Sequence, residues 1–142
     1  MAATRATSYR LDRQVKERLE RRAAAEGISE RALLERLASE GLDVAEHPGI
    51  VYRDGPTGRR AGLAVGPDVW EVISALRFTK GADERRVKLL GEQFDLHPRH
   101  IRVAIEFAAA YREVIDAEVA ANDAAAEAAR EAAQRRADLM AS

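Results

Sequence analysis

Val15, Leu19 and Ala23 recur every four residues, the spacing at which side chains share one face of an α-helix. Asp12 stands ahead of them as an N-cap, and Gly27 follows as the residue best suited to a left-handed C-cap. Ser29 then offers a second N-cap, after which Leu33, Leu34, Leu37 and Ala38 repeat at helical spacing up to Gly41. Residues 4–11, Thr-Arg-Ala-Thr-Ser-Tyr-Arg-Leu, are rich in Thr, Tyr and small residues without Gly or Pro, which predicts one short strand. It has no hairpin partner nearby.

A second region begins at His47-Pro48-Gly49. Residues 50–53 and 59–64 read as extended stretches around Asp54-Gly55-Pro56-Thr57-Gly58, a hairpin loop longer than two residues. Gly66-Pro67-Asp68 predicts a helix start with Pro in its first position, and Val69, Trp70, Ile73 and Leu76 give that helix an apolar face. Asp83 reads as the cap of the next helix, carrying Val87, Leu89, Leu90 and Phe94. Pro98 then opens a long one, so the pair has a helix-turn-helix pattern. From Ile101 the apolar positions run through Ala104, Ala108, Tyr111, Ile115, Val119, Asn122, Ala126 and Ala129 to Ala133 as one heptad-like seam. Residues 117–137 combine high helix propensity with almost no large side chain to bury, so a helical or partly disordered tail is expected there.

The expected fold is therefore mainly α with short β. Residues 1–44 form a strand-helix-helix module, 45–116 a small helix-turn-helix domain with a β-ribbon, and 117–142 the Ala-rich tail. Composition narrows the chemistry: 46% hydrophobic and 33% charged residues are the balance of a soluble globular protein. Without cysteine there is no disulfide framework, thiol nucleophile or common zinc finger. No apolar run approaches the roughly 20 residues of a membrane span, and the N-terminus lacks a signal-peptide stretch, so a cytoplasmic protein is expected.

The net charge of −1 hides an uneven distribution. Within residues 1–25, Arg5, Arg10, Arg13, Lys16, Arg18, Arg21 and Arg22 face only Asp12, Glu17 and Glu20, a local excess of positive charge suited to a phosphate surface. Beyond residue 105 acidic residues outnumber basic ones.

A lone strand with two helices cannot close a core, because both strand edges stay unpaired. A homodimer solves this by pairing the two strands antiparallel, which makes a two-stranded ribbon sized for the DNA major groove. Tyr9 and Leu11 require burial, so odd positions face inward and Ala6, Ser8 and Arg10 face outward. Arg5 and Thr7 share the inward parity.

Tyr9-Arg10-Leu11-Asp12 leading into the first helix, with Gly27-Ile28-Ser29 opening the second, resembles the ribbon-helix-helix family of repressors that includes Arc, MetJ and CopG. The resemblance implies that Ala6, Ser8 and Arg10 read bases, and that the start of the second helix, with Ser29, Glu30 and Arg31, holds a phosphate aided by Arg5. Physical chemistry supports the second point, since unpaired N–H groups and the helix dipole favour an anion there.

His47-Pro48-Gly49-Ile50, Trp70-Glu71-Val72, Phe94-Asp95-Leu96 and the stretch Tyr111 to Ala117 resemble a small winged-helix domain that accompanies PIN-type ribonuclease toxins. That resemblance spans roughly residues 46–122 and implies an antitoxin-like role beside a toxin partner. Arg85, Arg86, Arg99 and Arg102 form a candidate second surface for DNA or a partner. His97 and His100 lie three apart without a clear third ligand, and Arg59-Arg60 beside the Gly-rich turn lacks a complete nucleotide-binding motif. No metal, cofactor or catalytic residue is expected. The expectation is a non-enzymatic, sequence-specific repressor, the antitoxin of a toxin-antitoxin pair. Its rival is an oligomeric interaction module with no DNA role.

Overall fold

The computed structural model describes residues 3–56 and 58–142. It is mainly helical with one small antiparallel sheet, in the order α1 (Arg13–Glu26), α2 (Glu30–Glu46), β1 (Ile50–Gly55), β2 (Gly58–Leu63), α3 (Val69–Phe78), α4 (Asp83–Phe94), α5 (Pro98–Ala110) and α6 (Arg112–Ala141). The chain divides into two compact units, residues 1–43 and 44–142, with the boundary inside α2.

In the first unit the helix ends follow the local chemistry of the sequence. The Asp12 carboxylate accepts a hydrogen bond from the Gln14 amide at 3.3 Å, and Gly27 at φ 68° donates its own amide to the carbonyls of Ala23 and Ala24. Ser29 Oγ accepts from the Ala32 amide at 3.0 Å and starts α2. Two helices joined so tightly bring Leu19, Ala23 and Leu33 into one small buried cluster. Arg36 clamps Glu26 through two nitrogens at 2.8 and 3.0 Å while Arg22 reaches it at 2.6 Å. The Arg36 hydrogen bonds, then those of Arg22, hold the Glu26 carboxyl far below its ordinary value, at about 2.

The strand expected over residues 4–11 is absent: residues 3–12 belong to no helix or strand. The physical reason is that a strand exists by pairing, and no described residue of the single chain pairs with this segment.

The second unit closes around a core to which every element contributes. Ile50, Ala61 and Leu63 come from the hairpin, Val69 and Val72 from α3, Val87 and Leu90 from α4, Ile101, Ala104, Phe107 and Ala108 from α5, and Ile115 from α6. The strands pair from Ile50↔Leu63 to Gly55↔Gly58, closer to the turn than the sequence suggested, leaving positions 56 and 57 between them. Behind the hairpin, Arg53 donates to the carbonyls of Leu63 and Gly66 and to Asp68 Oδ1 at 2.9–3.1 Å, locking β1 to the start of α3. A side chain on Gly62 would occupy the space this guanidinium takes.

Three helix starts differ from expectation. Pro67 precedes α3 instead of opening it, because Asp68 and Glu71 form a capping box. Asp83 is the first residue of α4 and not its cap, a position where its charge still complements the helix dipole. The long helix expected from Pro98 onward is two helices, broken at Tyr111 with φ −125° and ψ 45°. The break is held by an aromatic cluster in which the rings of Phe107 and Tyr111 lie 4.8 Å apart and His47 meets Phe107 edge-on at 5.2 Å. The single seam from Ile101 to Ala133 therefore does not exist. Ile115 and Val119 are its last buried members, and α6 continues to Ala141 with no buried side chain beyond them.

Between α4 and α5 only Asp95, Leu96 and His97 intervene. Asp95 takes the left-handed conformation at φ 54°, and the Leu96 amide returns to the Gly91 carbonyl at 2.8 Å. A Cβ on Gly91 would lie 2.8 Å from the Leu96 oxygen, so this turn requires glycine.

Candidate nucleic-acid interface

Arg5, Ala6, Ser8 and Arg10 all lie in the exposed N-terminal segment ahead of α1. Neither arginine has a carboxylate partner among the described residues, whereas most cations on α1 and α2 do: Arg13 pairs with Glu17, Lys16 with Glu20 and Glu30, Arg22 with Glu26 and Arg31 with Glu35. The segment thus carries uncommitted positive charge. Tyr9 and Leu11, the residues whose parity called for burial, are exposed at 81% and 41%.

The predicted phosphate position at the start of α2 is more occupied than the sequence implied. Ser29 Oγ already accepts the Ala32 amide, Glu30 adds a carboxylate bound to Lys16, and Arg31 points its guanidinium to Glu35 at 3.1 Å. An incoming phosphate there meets the remaining amides of the first turn and displaces or shares these ion pairs.

What reading by motif missed is an open groove of about 780 Å³ between α1 and α2, lined by Val15, Leu19, Leu33, Leu34, Leu37 and Ala38. Arg18, Arg21 and Arg22 edge it. Its signal was present in the sequence, because α2 has more apolar positions than one partner helix can cover. Val15, Leu34 and Leu37 remain 41–48% exposed.

No family model, curated protein or solved structure matches the chain.

The second candidate surface is not a uniform basic patch. Arg86 donates to the carbonyls of Thr79 and Leu76, both at 2.9 Å, and so caps the end of α3. Arg102 is paired with Glu84 at 2.7 Å, and Arg99 contacts the neighbouring His100 ring at 3.4 Å. Of the four, only Arg85 is exposed without such a contact among the described residues. Arg59 pairs with Asp54, and Arg60 pairs with Asp68 while lying 5.9 Å from the Trp70 ring centre, so both serve the hairpin and its surroundings. His97 caps α5 by accepting the Arg99 amide on Nδ1. Among the described residues no group of three or more His, Asp or Glu is placed to hold a metal, and no helix is long and apolar enough to cross a membrane.

Proposed function

We propose that this protein is a dimeric, sequence-specific DNA-binding repressor of the ribbon-helix-helix kind, acting as the antitoxin of a toxin-antitoxin pair. One observation carries the reading. The first unit ends in an unpaired segment whose Tyr9 and Leu11 are exposed, next to helices that leave an apolar groove open. A second copy supplies the missing strand, and the ribbon so formed covers the groove on its inner face.

On that arrangement Ala6, Ser8 and Arg10 project from the outer face into the major groove. Arg10 is the principal base reader, since its guanidinium bonds guanine through two nitrogens, worth roughly 1–3 kcal/mol of discrimination. Arg5 and the start of α2 grip phosphates and set the register. Two copies of the basic N-terminal segment make binding steeply salt-dependent through counterion release. The toxin partner, a PIN-type ribonuclease on the resemblance of residues 46–122, falls to the second unit and to α6.

Fluorescence anisotropy on duplex DNA from upstream of the protein's own gene, against random duplex at two salt concentrations, tests the reading. The expected result is a preference for the upstream DNA that Arg10→Ala reduces about 5- to 100-fold. Equal affinity for both duplexes at both salts overturns it and favours an interaction module without a DNA role.

A further inference from the structure

The second unit holds a cavity of about 250 Å³ where α3, α5 and α6 meet. Its walls are Ile73 and Leu76 from α3, Ile105, Ala108 and Ala109 from α5, and Ile115 from α6. Ala108 and Ile115 are buried, whereas Ile73, Leu76 and Ile105 are only partly covered, so the cavity keeps apolar surface in contact with water.

Its charged groups are unbalanced. Arg77, Arg86 and Arg112 line it together with a single carboxylate, Asp116. That carboxylate serves two of them at once: Arg77 reaches Oδ1 at 2.8 Å, and Arg112 lies 3.5 Å from Oδ2. Arg86 is held differently, its Nε and Nη2 donating to the carbonyls of Thr79 and Leu76 at 2.9 Å. Neutral carbonyls orient that guanidinium without cancelling its charge, and its ion pair with the exposed Asp83 is a long one, 3.9 Å from Nη1.

We propose that this cavity binds a small aliphatic monocarboxylate, its chain against Ile73, Leu76 and Ile105 and its carboxylate among Arg77, Arg86 and Arg112. At roughly 30 Å³ per non-hydrogen atom, the share that a water takes in the liquid, the cavity holds a body of about eight such atoms. A planar guanidinium meets a carboxylate through two N–H groups, and the covered apolar surface adds the free energy that an exposed charge pair lacks. A longer acidic chain fits less well, because the surroundings turn acidic. The neighbouring cavity, which shares Leu76, Arg86 and Ile105, carries Asp83, Glu84 and Glu106 against Arg102, and Glu113 follows Arg112. One carboxylate on a short apolar body therefore satisfies both the charge and the size. The site lies wholly within the second unit and goes beyond the DNA reading without depending on it.

The test is an amide NMR titration of the full chain with octanoate, with octanol and acetate as controls. The expected result is saturable octanoate binding with a dissociation constant on the order of 0.1–1 mM, shifting the amides of Leu76, Ile105, Ala109 and Arg112. Octanol, the same chain without the charge, should bind roughly tenfold more weakly, and acetate should not saturate. Arg77→Gln combined with Arg112→Gln should weaken octanoate about tenfold and leave octanol unchanged. Ala109→Leu fills the cavity without altering its charge and should weaken acid and alcohol alike, with circular dichroism as the check on folding. The arginine variant keeps the inference testable where Ala109→Leu fails to fold. Octanol as tight as octanoate, octanoate binding that the arginine variant leaves unchanged, or shifts that grow without saturation overturns the inference. An acidic amphipathic peptide that shifts the same amides at lower concentration than octanoate also overturns it, in favour of a protein partner at this face.

Discussion

Residues 44–142 and residues 1–43 are both mainly helical, but they differ in what they leave unfinished. In the larger unit a hairpin and four helices converge on Leu90, Ile101 and Val72, all fully buried, and exposed large apolar side chains such as Val65, Phe78 and Met140 stand beside an extensive core. In the smaller unit the apolar side chains that α1 and α2 bury among the described residues are Leu19, Ala23 and Leu33, while Tyr9, Leu11, Val15, Leu34 and Leu37 remain open. Caps and ion pairs fix helices without supplying a core, because an exposed ion pair contributes little beside buried apolar area. The contrast teaches that local order and a complete fold are separate properties, and that the missing burial in a small unit marks where another chain belongs.

The largest effect expected from breaking this contrast is in the larger unit. Ile101→Ala removes a fully buried side chain from the meeting point of the helices and should cost about 2–5 kcal/mol. The single Trp70 lies in that unit, half-buried and bonded to Asp68 at 3.3 Å, so its fluorescence during urea unfolding reports the loss directly. A midpoint within error of the original would mean that the core is not organised around α5.

Dilution should act on the smaller unit instead. If a second copy completes its burial, a 100-fold dilution across the dimer dissociation constant removes stabilisation on the order of 2 kcal/mol from α1 while leaving the Trp70 transition unchanged. Amide exchange of the α1 backbone at two protein concentrations measures this. Protection of Leu19 and Ala23 that is insensitive to concentration would show that the first unit is complete by itself.

How far the sequence announced these differences depends on where the determining contacts lie. The ends of α1 and the start of α2 were legible because Asp12, Gly27 and Ser29 act within a few residues of themselves. The hairpin was legible from its turn residues and the α4–α5 turn from Asp95 to Pro98. The break at Tyr111 was not, since the apolar spacing continues across it while the ring meets Phe107 and also His47, which is distant in sequence. Arg86 looked like a free cation for the same reason: its acceptors are carbonyls of α3 and the loop after it, which no charge pattern reveals. Of the candidate site, Ser8 and Arg10 are exposed, but so are Tyr9 and Leu11, so the single chain does not separate the two parities, and the groove came into view only when α1 and α2 were packed together.

The smallest expected effect sharpens the contrast from the side of the larger unit, where burial includes one awkward charge. Glu118 sits on α6 between the buried Ile115 and Val119, and its Oε2 is buried without a hydrogen-bond partner. Desolvation raises its pKa above the ordinary 4.5, Arg60 opposes the rise and Asp68 adds to it. The sign follows from linkage. A carboxyl whose folded pKa lies above its unfolded value contributes stability fully below the unfolded value and loses it as pH rises through the folded one. The Trp70 unfolding midpoint should therefore be higher near pH 5 than near pH 7 by an amount that disappears in Glu118→Gln, a side chain of the same shape with no charge to desolvate. Glu118→Gln should also be the more stable protein at pH 7. Wild type and variant with parallel pH profiles would mean that α6 holds Glu118 in a solvated position, and that its docking beyond Ile115 owes more to Val119 than to a dry interface.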